Sequence, residues 1–258
     1  MNDKCNKNGS GVARVLRKIS RMVTPGRGRR EPDANGLSGV NDYWRQLTPE
    51  EIAAGQHKDF VGGMWDEIGD LQIEFLKARG LSPGHRLADI GCGSLRGGVR
   101  FVSYLDRGNY YGLDINASLI EAGKEELARS GLTGKQPNLL VNDKFEMSRF
   151  GASFDYAIAV SVFTHLYMNH IARCLAEAKK VLKPGGRLFA TFFEAPSPLH
   201  LEPIAHDRGG VVSNYDADPF HYSFSEIERL AETAGLSVEH IGDWGHPRDQ
   251  RMLCFSPK

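Results

Sequence analysis

From Asp42 onward, the apolar positions along the chain switch between a helical period and strand-like runs. Thr48, Pro49, Glu50 and Glu51 supply the cap, first-turn proline and acidic first turn of a helix start. Phe60, Met64, Trp65, Ile68, Leu71, Phe75 and Leu76 then recur at three- and four-residue steps up to Gly80, which predicts one helix with a broad buried face. Pro83 and Gly84 turn the chain into the first of seven strand-like runs, at 86–90, 110–115, 139–142, 154–160, 187–193, 238–241 and 252–255. Helical patterns occur between them at 98–105, 118–129, 168–182 and 225–234. The third carries Ile171, Leu175, Ala178 and Leu182 on one face. This alternation predicts an α/β fold with right-handed crossovers and a mostly parallel sheet covered on both sides. Residues 242–249 are turn material, so the last two strands are expected to form an antiparallel hairpin.

Composition adds bounds rather than detail. The 258 residues are 41% hydrophobic and 25% charged, enough for one sizeable core. The organisation expected is a basic segment at 1–41, a helical cap at 42–84 and the α/β domain at 85–258. With no net charge and a pI near 7.1, the chain lacks a broad electrostatic footprint for nucleic acid, and none is expected as a partner. Cys5, Cys92, Cys174 and Cys254 are too scattered for a disulfide framework or a zinc site, so no metal is expected and a reducing cytoplasm fits best. No apolar run approaches the ~20 residues needed to span a bilayer. Within residues 11–30, Val12, Val15, Leu16, Ile19 and Val23 alternate with Arg14, Arg17, Lys18 and Arg21 as in a basic amphipathic helix. Such a helix suits peripheral contact with an anionic membrane, although a frayed tail or a helix docked on the domain is the simpler reading.

The densest chemical signal is Asp89-Ile90-Gly91-Cys92-Gly93-Ser94-Leu95-Arg96-Gly97-Gly98, which follows an apolar strand and opens a helix. Glycines at 91 and 93 let a ligand approach backbone amides near a helix N-terminus. About twenty residues further on, Tyr110 to Asp114 forms a strand ending in an acid that can accept from ribose hydroxyls. A nicotinamide cofactor would want GxGxxG, but Arg96 occupies the last of those positions. Asp89 would repel a phosphate and suits an ammonium group.

In these motifs the chain resembles the class I S-adenosylmethionine-dependent methyltransferase superfamily, over roughly residues 60–258 and in its small-molecule, type 11/12-like branches. The resemblance implies a Rossmann-like seven-stranded methyltransferase sheet, mostly parallel with a reversed last strand, and S-adenosyl-L-methionine as cofactor. Asp89, Gly91, Cys92 and Gly93 look like its first motif, and Asp114, followed by Ile115, like its ribose-binding acid. Asn142-Asp143-Lys144-Phe145 looks like the loop in which Asp143 would accept from the adenine amino group, although Asp143 also reads as a plain turn residue. Phe154 to Ile158 is similar to the fourth motif, continuing through Val160 and Ser161 towards His165. Leu182 to Leu188 is similar to the turn that enters the fifth strand. Leu95 departs from the pattern, standing where many members carry a third glycine.

Methyl transfer needs alignment and exclusion of water, and a hydroxyl acceptor also benefits from a base. His165, just beyond the fourth strand, is the foremost candidate, ahead of His206, His221 and His246. It also reads as a hydrogen-bonded residue opening the next helix. The long segment 194–222 is expected to line an acceptor pocket, with Phe60, Met64 and Trp65 opposite. Trp244 to Gln250 reads as a solvated hairpin tip, with contact between an anionic substrate and Arg248 and His246 as the alternative. The expected activity is O- or N-methylation of a small-molecule acceptor. The alternatives are a nucleotide-dependent oxidoreductase and a non-catalytic methyltransferase-like scaffold.

Overall fold

A computed structural model describes residues 41–258. The amphipathic pattern and basic run expected to touch a membrane through residues 11–30 lie outside the described residues. Among the described residues, no helix is long and apolar enough to cross a membrane.

The first helix among the described residues is α1 (Pro49–Ala53), where Thr48 and Glu51 form the reciprocal capping box that the sequence suggests. The single helix expected up to Gly80 is instead two, α2 (Gln56–Phe60) and α3 (Trp65–Ala78). Between them Gly62, Gly63 and Met64 are all left-handed, with φ of 94°, 64° and 48°. The apolar spacing runs through this break because its residues serve different cores. Phe60 and Val61 pack with Leu47, Ile52 and Leu119, whereas Ile68 and Leu76 pack beneath the sheet. Met64 is not core at all, being 37% exposed.

The main sheet runs β3 (Asn138–Val141), β2 (Tyr110–Asp114), β1 (Leu87–Ile90), β4 (Phe154–Ala159), β5 (Leu182–Ala195), β10 (Arg251–Pro257), β9 (Leu236–Asp243). The first five are parallel, and β10 is antiparallel to both neighbours, which gives the reversed last strand. Helices α4 (Gly98–Tyr104), α5 (Ala117–Arg129), α6 (Met168–Val181) and α7 (Phe224–Thr233) cover the faces. Successive strand residues point to opposite sides, so β1 sends Ala88 and Ile90 into a core shared with α6 and Leu87 into one shared with α3 and α4.

Two expectations about the sheet need correction. An eighth strand, β8 (His221–Ser223), pairs parallel to the end of β5, and a small hairpin joins β6 (Ile204–Ala205) to β7 (Val212–Ser213). Segment 194–222 is therefore a folded extension of the sheet rather than a structureless loop. The turn at 183–186 is a bulge inside β5, since pairing jumps from Phe154–Leu182 to Tyr156–Arg187. A Cβ at Gly186 would lie 2.9 Å from the carbonyl oxygens of Lys183 and Phe154, so only glycine closes it.

Leu95 keeps the left-handed backbone that a glycine would adopt, at φ 67°, and its side chain is completely buried. Space for it comes from two glycines elsewhere: an added Cβ would lie 2.8 Å from Leu95 at Gly98 and 2.6 Å from it at Gly123. Alanine in a helix interior ordinarily stabilises relative to glycine by about 1 kcal/mol. Gly123→Ala is expected to do the reverse here, lowering stability by about 1–3 kcal/mol through overpacking against Leu95. In a Leu95→Ala background the same change should regain its ordinary sign. Urea midpoints of the four variants measure this, and destabilisation of equal size in both backgrounds would disprove the packing account.

Candidate active site

The parallel order β3-β2-β1-β4 places four strand ends side by side, and one cavity runs across them. Asn142, Asp143 and Phe145 line it after β3, Asp114 and Ile115 at the end of β2, Gly91, Cys92 and Gly93 after β1, and Val160, Ser161 and Val162 after β4. Asp89 and His165 line it as well. Eleven of the twelve residues singled out from sequence are thus brought together. The exception is Lys144, which is exposed and absent from the wall; its backbone N–H is turned to Asn142 Oδ1 at 3.0 Å.

The turn after β1 is built by local bonds. The amides of Gly91 and Cys92 both donate to the Leu113 carbonyl, at 2.8 and 3.0 Å, tying the turn to the end of β2. Gly93 N–H donates to Asp114 Oδ2 at 2.9 Å and Asn116 N–H to Asp114 Oδ1 at 2.8 Å, so backbone donors orient this carboxylate. Burial still raises the Asp114 pKa above its ordinary value, against those hydrogen bonds. Burial also raises Asp89, pushing it up to about 7 although the Tyr110 hydroxyl donates to it at 2.7 Å; neighbouring Asp114 adds to the rise. Two buried carboxylates at one wall create a strong preference for a cation and for hydroxyl donors.

Several walls were not legible in the sequence. Asn41, Tyr43, Trp44 and Val61 close one side. Asn116, the cap of α5, holds that segment by donating to the Tyr43 and Arg45 carbonyls at 2.8 and 2.7 Å. Phe60, Met64 and Trp65, expected opposite the acceptor, are not in the wall; the break between α2 and α3 presents Val61 in their place. Segment 194–222 does not line the cavity either. It reaches the site through Asp218, whose Oδ1 lies 2.6 Å from His165 Nδ1. The ring of Tyr43 meets His165 edge-on at 4.9 Å. His206 and His221 are instead linked through Ser213 within that segment, at 2.8 and 3.1 Å.

The Trp244–Gln250 tip is not a solvated turn, since Trp244, His246, Asp249 and Gln250 are buried. His246 is fully enclosed, and burial, reinforced by Arg96 and Arg248, holds its pKa down to about 3. Gln250 Oε1 accepts from Thr191 Oγ1 at 2.6 Å and Ser161 Oγ at 3.1 Å, fixing the left-handed Ser161 at the end of β4. Arg248 donates to the Gly62 carbonyl, so this tip braces the turn that carries Val61.

A doubly covered, mostly parallel sheet with a reversed last strand, carrying a glycine turn and two acids at the strand ends, defines a Rossmann-like transferase site for a nucleoside-bearing cation. The chain belongs to the class I S-adenosylmethionine-dependent methyltransferases, and residues 88–188 match the family described as methyltransferase domain. It is 32% identical over 178 residues to the ubiquinone/menaquinone biosynthesis C-methyltransferase UbiE of Rhizobium leguminosarum bv. trifolii, covering 65% of this chain and 67% of that one. It is 28% identical over 180 residues to UbiE of Dinoroseobacter shibae, covering 66% and 69%. Among solved structures, magnesium protoporphyrin IX methyltransferase from Synechocystis PCC 6803 with bound S-adenosylmethionine shares the fold, with TM-score 0.55, 15% identity and coverage of 98% and 100%. DesVI of Streptomyces venezuelae does so with TM-score 0.57, 16% identity and coverage of 83% and 100%. The oxidoreductase and scaffold alternatives give way to a methyltransferase that uses S-adenosylmethionine.

The residues present fit that cofactor: buried acids for its ammonium and ribose, a glycine turn without side chains beside them, and a mostly apolar remainder. Only ionised Asp89 attracts a cation, so affinity for S-adenosylhomocysteine is expected to fall as pH drops below about 7, by up to tenfold per pH unit, and to level off above it. Calorimetric titration between about pH 5.5 and 8.5 reads this directly. Asp89→Asn should flatten that part of the profile, and an unaltered slope in the variant would exclude Asp89 as its source.

Proposed function

We propose that this methyltransferase acts on a small-molecule acceptor through oxygen or nitrogen, with a hydroxyl group the better supported target. The observation that carries the reading is the His165–Asp218 pair at the edge of the cavity, 2.6 Å apart. With Asp218 accepting from Nδ1–H, the imidazole keeps the lone pair on Nε2 and can take a proton there. Asp218 also stabilises the imidazolium that results. S-adenosylmethionine supplies the electrophilic methyl group when bound. His165 removes the acceptor proton as the hydroxyl oxygen becomes nucleophilic, while Tyr43, Trp44 and Val61 exclude water. The roles proposed for Asp114 with the ribose, Asp143 and Phe145 with the base, and the glycine turn with the amino-acid end follow the order of the strand ends. Peripheral membrane contact through residues 11–30 belongs to the same proposal.

A carbon acceptor is the second reading, favoured because the curated relatives named above are C-methyltransferases. A cofactor carrying a carbon-13 methyl group, incubated with cell extract, distinguishes them, since the chemical shift of the transferred methyl reports whether it is bonded to oxygen, nitrogen or carbon. Once an acceptor is in hand, His165→Ala is expected to lower kcat by about 10²- to 10⁴-fold, and Asp218→Asn by less. Neither should change S-adenosylhomocysteine affinity by more than about twofold. Full activity in His165→Ala would remove the base from the mechanism.

A further inference from the structure

Arg96 is the residue that breaks the dinucleotide glycine pattern, and the structure gives it an unusual setting. It is only 8% exposed and lines the cavity beside the glycine turn. Its Nη1 donates to the carbonyls of Val61 and Gly63, at 3.1 and 3.0 Å. Among the described residues, Nε and Nη2 have no hydrogen-bond partner, and no carboxylate forms an ion pair with this guanidinium. A buried guanidinium left without a counter-ion is costly. Arg248 sits near enough to oppose its charge, donating to Gly62 between the two carbonyls that Arg96 holds. Burial and that neighbour bring the Arg96 pKa down to about 10, so it stays a cation at neutral pH.

Asp89 and Arg96 influence each other electrostatically and yet form no ion pair, so the cavity carries separated negative and positive poles at the same end. That end lies beyond Asp114 along the row of strand ends, away from Asp143 and Phe145. Opposite fixed charges held apart match a zwitterion. We infer that Arg96 binds the α-carboxylate of the cofactor's amino-acid end through Nε and Nη2 while its Nη1 holds the Val61–Gly63 turn against the cavity. Planar side-by-side N–H groups suit a carboxylate, which a lysine could meet only as a point charge. Val61 reinforces the arrangement: a Cβ on Gly93 would lie 3.0 Å from its Cγ1, so the turn rests directly on the glycine motif. One guanidinium thereby recognises the carboxylate and secures the cover over it.

The inference rests on the cofactor assignment above, and the test separates the two. S-adenosylhomocysteine is compared with S-adenosyl-3-thiopropylamine, which keeps the amine and lacks the carboxyl group. Calorimetry gives Kd for both on the wild type, Arg96→Gln and Arg96→Lys. The wild type is expected to prefer S-adenosylhomocysteine by about 10- to 100-fold, the range of a charge-assisted contact. Arg96→Gln should lose most of that preference, and Arg96→Lys should retain part of it. Because the readout is a ratio between two ligands on one protein, partial unfolding of a variant cancels. Equal weakening of both ligands in Arg96→Gln would make Arg96 a brace for the turn alone and overturn the inference. A wild type without preference would also overturn it. Failure of the wild type to bind either ligand would strike the cofactor assignment instead.

Discussion

Three of the five residues that follow β1, Gly91, Gly93 and Leu95, have left-handed backbone, and the rest of the site depends on that path. It turns the amides of Gly91 and Cys92 back onto the end of β2 and brings Gly93 N–H to the Asp114 carboxylate. The path is held from outside as well as within. Gly98 leaves room for Leu95 and for the Tyr110 hydroxyl that donates to Asp89, and Gly123 on α5 leaves room for the far side of Leu95. A leucine in place of a glycine therefore moves the need for a small residue onto two neighbouring helices. The energetic consequence is a turn fixed by close packing rather than by chain flexibility, which suits a site that must hold its carboxylates without rearrangement.

Charge is arranged around this turn as poles with little direct pairing. Asp89 and Asp114 are buried with hydrogen bonds from Tyr110 and from backbone amides, neither of which neutralises them. Arg96 is buried with carbonyl partners only. Each group carries a desolvation cost that a ligand of complementary charge would relieve, so the free protein is less comfortable than the bound one. This is the physical content of a preformed site: the fold supplies the stability, and the ligand recovers what the site gives up.

The strand ends were legible because their residues act where they stand. Asp89, Gly91, Gly93 and Asp114 lie next to their own strands, so a local pattern predicts their place. What stayed hidden depends on partners far away in sequence. Asp218 meets His165 across 53 residues, and Arg248 reaches Gly62 across 186. Helical spacing could not reveal the break at Gly62 and Gly63, because half-buried Phe60 and fully buried Ile68 pack into different cores. The glycine pair itself was the available signal. Likewise the polar, glycine-containing tip at 244–250 reads as solvated by composition, although the buried Trp244, His246 and Gln250 turn inward.

The extension between β5 and β8 shows how a segment can serve a site without lining it. Its core-facing end is secured at both edges: Phe220 N–H donates to the Thr164 carbonyl at 2.7 Å, and β8 pairs with β5. Asp218 lies two residues before that anchor and faces His165, the residue after Thr164. The geometry of the pair therefore follows from a backbone bond between the short helical turn Phe163–His165 and the residue before β8, and not from the conformation of a free loop. The outer part of the segment, although Leu199 and Leu201 are two-thirds exposed, is tied back to the same end: Leu199 N–H donates to Glu226 Oε1 at 3.3 Å, and the His200 carbonyl accepts from His221 Nε2 at 2.8 Å. The exposed stretch and the His165–Asp218 pair are in this way held by one set of anchors around β8.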